Sequence, residues 1–234
     1  MDPLSGLAAL TTPHLADAAV RLGLELRAPV GIAARTEAAR SGLCWGRVRP
    51  VRHHGSVDVF LEAIDQAEPG DVLAVDNGGL LDEGCIGDLV AREAVDAGIA
   101  AIVIWGAHRD TPLLDEIGVR LFSLGSYPAG PVALRARPAD ALARASLGGF
   151  EVTREDQAFG DSDGVLFLPA FGLDAIVRIA DEIRRTELVQ AERTQAGTSL
   201  RAQFQFSAYL DARARDPGFT FRQHLRRRGA AIEE

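Results

Sequence analysis

The chain contains no lysine: all 25 of its basic residues are arginine. No lysine amine is therefore available to form a Schiff base with a carbonyl substrate. Carbanion or enolate chemistry here has to be stabilised by a metal ion, an arginine or backbone donors. Cysteine is scarce too, and Cys44 and Cys85 form neither a disulfide framework nor a metal-ligand spacing. No apolar run is long enough to span a bilayer and no basic-plus-apolar leader opens the chain. A soluble, cytoplasmic protein without a membrane partner is expected. Excess cationic charge is also missing. The formal net charge of −8 argues against nucleic acid as a partner, because phosphate affinity needs clustered cations. The run Arg226-Arg227-Arg228 reads as part of a solvated tail.

What is present is 234 residues, 47% of them hydrophobic, enough for one sizeable core or a core with an appendage. The stretch 84–110 organises it. Ahead of this stretch, residues 72–76 are a short apolar run of buried-strand type. A loop follows to Gly84, then a helix over about 88–97 with Gly98 as its stop signal. Residues 100–105 read as a second strand, closed by Gly106. Strand, crossover helix and parallel strand bring Gly87-Asp88 and Arg109-Asp110 to one edge of the sheet. Ligands of open α/β sheets bind there, outside the carboxyl ends of the strands.

Each candidate has an ordinary reading beside the functional one. Asp88 at a helix start favours the positive end of the dipole. Gly84 and Gly87 serve as loop glycines, or they let a ligand carboxylate approach the first-turn amides of the helix. Arg109 is a surface residue, or a planar guanidinium gripping a carboxylate or enolate oxygen. Asp110 caps the next helix or binds a cation. His108 reads as packing or solvated rather than catalytic. The His108-Arg109-Asp110 triplet is not a kinase loop, since no glycine-rich phosphate loop, strand lysine or following asparagine accompanies it. There is no nucleophile elbow, P-loop or dinucleotide fingerprint.

Elsewhere, Thr12 is expected to cap a helix with Pro13 at its first position and a stripe of Leu15, Ala18, Ala19 and Leu22. Short strands are expected at 33–37 and 47–51. His53-His54 are assigned to a loop, because neighbours on a strand face opposite ways. A helix over 57–66 precedes a turn at 68–71. A further helix (112–117) and strand (119–124) follow, and 135–145 has no clear assignment. Strands at 146–153 and 165–168 flank a turn at 159–164. A long helix over 171–194 carries the stripe Ile176, Ile179, Ala180 and Ile183. Continued by four, that stripe meets Glu187, whereas Glu192 falls on the far side. A last helix near 199–210 and a polar tail complete the chain, with no internal repeat.

The pattern G-x-x-G-D-L over 84–89, then G-x-x-x-x-V-x-x-G-x-x-R-D over 98–110, resembles the RraA-like family, which includes the 4-hydroxy-4-methyl-2-oxoglutarate aldolases. The resemblance begins at Thr12-Pro-His-Leu-Ala-Asp17, continues through 69–76 and 160–169, and reaches Gly197-Thr-Ser-Leu200. It implies an α/β fold: an α/β/α sandwich with a swivelling-domain-like β/β/α layer, a single domain over 1–194 plus a C-terminal helical extension over 195–234. It also implies a homotrimer or homohexamer with sites between subunits. By the same resemblance Asp110 binds a divalent cation, Mg²⁺ or Mn²⁺, and Asp88 holds a metal-bound water. Arg109 contacts the 2-oxo acid, the glycine-rich start around Gly84 and Gly87 to Leu89 holds its carboxylate, and a glutamate, best matched by Glu187, arrives from the neighbouring subunit. Trp105 and His108 depart from the family's pattern and keep a different substrate open.

The expected function is a metal-dependent lyase on a small 2-oxo acid. It either releases pyruvate by retro-aldol cleavage or decarboxylates oxaloacetate, both through a pyruvate enolate. The alternatives are a non-enzymatic regulator that binds and inhibits RNase E, and a degenerate member with an unknown ligand. Such regulators need not keep the acid after Arg109, and this chain has both Asp110 and Asp88.

Overall fold

The computed structural model describes residues 3–227, so Arg228 of the basic run lies outside it. Its spine is β2 (Cys44–Arg52), a strand that serves two half-sheets. The second half of β2 pairs in parallel with β3 (Val72–Asp76). In turn β3 pairs in parallel with β4 (Ala101–His108), and β4 with β5 (Leu121–Ser126). The first half of β2 pairs antiparallel with β8 (Asp156–Asp161), which forms a hairpin with β9 (Gly164–Pro169). A two-residue β1 (Ala33–Ala34) closes the far edge against β5, so the order is β1-β5-β4-β3-β2-β8-β9.

This sheet curls until its ends approach. Arg27 bridges to Phe167 of β9, and a side-chain carbon added at Gly164 would stand 3.4 Å from the Ile32 carbonyl. Alternation along the strands sorts the side chains to two faces. Val72, Ala74, Ala101 and Val103 point into the curl, where they meet Phe122, Phe167 and the hairpin of β6 (Arg144–Leu147) and β7 (Phe150–Thr153). Leu73, Val75, Ile102 and Ile104 face α3 (Asp58–Asp65), α4 (Asp88–Asp96) and α5 (Thr111–Ile117) on the outside. A third cluster seats α1 (Thr12–Arg21) and α6 (Leu173–Gln195) on Phe159, Leu166 and Leu168. Helices, parallel strands, a folded-over β layer and more helices thus realise the expected α/β class with its β/β/α layer.

Several local expectations are corrected. Thr11, not Thr12, occupies the N-cap of α1; Thr12 donates its amide and hydroxyl to Asp161, both at 2.7 Å. Residues 159–161 are strand, and only the pair between β8 and β9 turns. The segment 37–40 is a short helix, α2 (Glu37–Arg40), with the Thr36 hydroxyl accepting from the Ala39 amide. Residues 146–153 form a hairpin rather than one strand, because Gly148 and Gly149 both take positive φ (66° and 101°), as a two-residue turn of this kind requires. Nor is β4 closed at Gly106. That residue has φ 154°, the register shifts, and the strand continues to His108.

After α6 the chain is not a helix and a polar tail. It forms α7 (Leu200–Gln203), α8 (Phe206–Arg215) and α9 (Phe221–Arg227). Tyr209, Phe219 and Phe221 pack around His224, whose Nε2 bonds the Phe204 carbonyl at 2.8 Å. Aromatic residues spaced along a polar stretch supply a small core that periodicity alone does not show. No helix among the described residues is long and apolar enough to cross a membrane.

Candidate active site

The carboxyl ends of β2, β3 and β4 lie at one edge of the sheet, and the chain beyond each contributes to one cavity of about 330 Å³. Segment 84–87 runs beside the end of β4 as an extra strand. The Cys85 amide bonds the Ala107 carbonyl at 3.0 Å and the Arg109 amide bonds Ile86 at 2.9 Å. This places the start of α4 against Arg109 and Asp110.

Three glycines make the room. A side-chain carbon at Gly84 would come within 2.6 Å of the Tyr127 carbonyl and 2.9 Å of Arg109 Cβ. At Gly87 it would lie 2.2 Å from Asp110 Oδ2, and at Gly130 3.0 Å from Arg109 Nη1. Arg109 is thus threaded between glycines, with its Nε 3.4 Å from Asp110 Oδ2. Asp110 itself takes a left-handed backbone, φ 61° and ψ 33°. Aspartate adopts that region more readily than most side chains.

Gly84, Gly87, Asp88, Leu89 and Arg109 all line the cavity, as the sequence leads one to expect. Asp110 does not line it, but its Oδ2 accepts from the Asp88 amide at 3.4 Å. The first-turn amides are therefore divided. Asp110 draws on that of Asp88, while Leu89 and Val90, with no cap from Gly87, keep amides without an intrahelical acceptor. Both residues line the cavity, whose wall therefore includes the uncapped start of α4.

Glu187 is apart from this group. Its Oε2 lies 3.0 Å from His14 Nε2 on α1, and its side chain is 47% exposed. Trp105 points into the curl and packs against Gly79 and Gly148. His108 is buried, with Nδ1 2.8 Å from the Ser123 hydroxyl and Nε2 2.9 Å from that of Thr111. Both ring nitrogens are engaged in tying β4 to β5 and α5, and burial lowers its pKa. Neither Trp105 nor His108 lines the cavity.

Sequence reasoning missed His53, Gly55, Ser56 and Val57, which form another wall. The available signal was position: they follow β2, whose end reaches the same edge as β3. His53 stacks on Phe60 with ring centroids 4.9 Å apart. Its Nδ1 bonds Asn77 Oδ1 at 2.7 Å and its Nε2 accepts the Gly55 amide at 3.2 Å. Burial lowers its pKa against the opposing Asn77 bond. Cys85 is a neutral thiol for the same reason, its pKa pushed up by burial.

Among the described residues no group of three or more His, Cys, Asp or Glu side chains is placed to hold a metal. The Asp88 and Asp110 carboxylates nevertheless suit a hard cation such as Mg²⁺, which keeps several waters and is held by one or two carboxylates. Asp110 is 33% exposed, open enough for a hydrated ion.

The RraA-like model, described as Aldolase/RraA, matches residues 12–167. A protein of Thermus thermophilus named 4-hydroxy-4-methyl-2-oxoglutarate aldolase is 32% identical over 124 residues, which cover 53% of this chain and 74% of that one. Among solved structures, an uncharacterized protein from Pseudomonas syringae pv. tomato superposes with a TM-score of 0.72 at 25% identity, covering 85% of this chain and 94% of the other. The RNA-processing inhibitor RraA from Thermus thermophilus superposes with a TM-score of 0.53 at 29% identity, covering 65% and 90%. A family model that runs from α1 into β9, on a chain whose cavity is built from the G-x-x-G-D-L and R-D motifs, leaves one assignment: the chain belongs to the RraA-like family.

Proposed function

We propose that the protein is a divalent-metal-dependent lyase that cleaves a 4-hydroxy-2-oxo acid to pyruvate and a carbonyl compound, and that it also decarboxylates oxaloacetate. One observation carries this reading: Arg109 is held by glycines beside two acceptor-free helix amides, with Asp88 in the same wall and Asp110 in contact with both. The amides of Leu89 and Val90 bind the substrate carboxylate. Asp88 takes the proton of the 4-hydroxyl through a water. The C3–C4 bond then breaks, its electron pair moves toward the 2-oxo oxygen, and the proton taken up by Asp88 returns through the water to C3 to give pyruvate. Arg109 sits where negative charge develops on that oxygen and lowers the barrier by preorganised electrostatics. Asp110, with Asp88 through a water, would hold Mg²⁺ or Mn²⁺, which when bound supplies Lewis-acid polarisation of the 2-oxo group. The name of the Thermus thermophilus relative supports the aldolase reading.

Chelator-treated protein is expected to lose pyruvate release and to regain it with Mg²⁺ or Mn²⁺, while borohydride traps no pyruvate adduct. Full activity in excess chelator overturns the proposal. The likeness to an RNA-processing inhibitor favours a second reading, a regulator that binds RNase E. Inhibition of that nuclease by protein with no lyase activity would support it.

A further inference from the structure

Another cavity, of about 390 Å³, opens at the far end of the parallel strands. Ala100, which leads into β4, and Arg120, which leads into β5, both line it, whereas Arg109 lies beyond the opposite end of β4. The length of that strand holds the two sites roughly 25 Å apart. Arg120 is partly buried, its Nε is buried with no hydrogen-bond partner, and it pairs with no carboxylate among the described residues. The wall itself contains no acid. Acids on adjoining elements are already engaged: Asp71 pairs with Arg49, and Asp161 accepts from the Thr12 amide and hydroxyl. Cys44, also in the wall, donates its thiol to the Gly160 carbonyl at 3.3 Å. Burial raises its pKa to about 11, so it brings no negative charge. Leu43, Trp45 and Ala100 make much of the remaining wall apolar.

A guanidinium drawn partly out of water with no counter-charge is unfavourable, and an arriving anion offsets that cost. We propose that this cavity is a second binding site, for a small monocarboxylate with an apolar body. The carboxylate meets the Arg120 guanidinium, whose planar fork of donors suits it. The apolar body packs against Leu43, Trp45 and Ala100. One arginine matches one negative charge, so a dianion such as phosphate would keep a charge without a partner. The volume falls in the usual range for small-molecule sites. No residue is common to this cavity and the one around Arg109, so the proposal stands apart from the lyase reading.

The test titrates benzoate into full-length protein by calorimetry, with benzamide as the control for charge and acetate as the control for the apolar body. The parent is expected to bind benzoate. Benzamide, acetate and benzoate on Arg120→Gln should each bind more weakly by about tenfold or more. Because Arg109 also suits a carboxylate, Arg109→Gln is run in parallel and should keep benzoate binding at the parent's affinity. Tryptophan emission should respond to benzoate in the parent and not in Trp45→Phe. Arg120→Gln removes an unpaired cation, so its thermal midpoint should equal or exceed the parent's. No benzoate binding by the parent, or binding lost in Arg109→Gln and kept in Arg120→Gln, overturns the proposal. Acetate binding as tightly as benzoate overturns the apolar body. A lowered midpoint for Arg120→Gln, or a crystal structure of an assembly in which a neighbouring subunit's carboxylate holds Arg120, shows the charge already matched and overturns the site.

Discussion

Asp110 holds a left-handed backbone at the end of β4, and that geometry turns its carboxylate back onto the Asp88 amide and Arg109 Nε. Non-glycine residues other than Asn and Asp pay about 1–2 kcal/mol for this region. Backbone and side-chain roles are therefore separable here. Asp110→Asn keeps the tolerance and loses the charge, so its thermal midpoint is expected near that of the parent while metal-dependent pyruvate release falls. Asp110→Ala loses both, and the strain is expected to lower the midpoint by several degrees, at roughly 2–4 °C per kcal/mol for a chain of this size. Equal midpoints for the two variants, measured by calorimetry, would show that the backbone conformation carries no cost.

At the scale of elements, the site is a contact between a strand end and a helix start, and segment 83–87 carries it. Gly87 is the tightest point, since its missing side chain is what lets Asp110 approach α4. Gly87→Ala is expected to retain the fold, as judged by circular dichroism, and to lose most of its activity because the new methyl displaces the Asp110 carboxylate. Just upstream, Glu83 is anchored by Arg135. That hydrogen bond holds the Glu83 carboxyl below its ordinary value of 4.5. A depressed folded pKa means the contribution is fully present above about pH 4.5 and is lost as pH falls through the folded value. Arg135→Gln is expected to be less stable at pH 7 by about 1–2 kcal/mol, since Arg135 is partly exposed and screened. Its thermal midpoint should also fall less steeply than the parent's below pH 4.5. Parallel midpoint curves for parent and variant would rule out this anchor.

For the whole molecule the open question is how Glu187 relates to the cavity. It lies on α6 beyond Ile183, where the helix leaves the core, and its partner within the chain is His14. We propose that in an assembly of subunits Glu187 completes a neighbour's site beside Asp110. A crystal structure of the assembly should then show Glu187 nearer a neighbour's Asp110 than its own, and Glu187→Gln should weaken Mn²⁺ binding measured by calorimetry while leaving the assembly intact. A monomer active at assay concentrations, or unchanged Mn²⁺ affinity in the variant, defeats the idea.

Local pattern alone determined a good deal. The strand at 72–76, the helix opening at Asp88 and the long helix through Ile176 and Ile183 are each specified by periodicity and stop signals within a few residues. Those signals, with the G-x-x-G-D-L and R-D motifs, were enough to name Gly84, Gly87, Asp88, Leu89 and Arg109 as one wall. Tertiary structure alone decided the rest, because it depends on which distant segments meet. The curl of the sheet comes from β2 pairing with β3 at one end and β8 at the other, a choice that no window of sequence contains. His53 became a wall of the cavity for the same reason. A loop histidine acquires its role only when the end of β2 is brought level with Asn77 and α4. Trp105 went the other way: the pleat of β4 turned it into the core, so proximity in sequence to Arg109 did not become proximity in space.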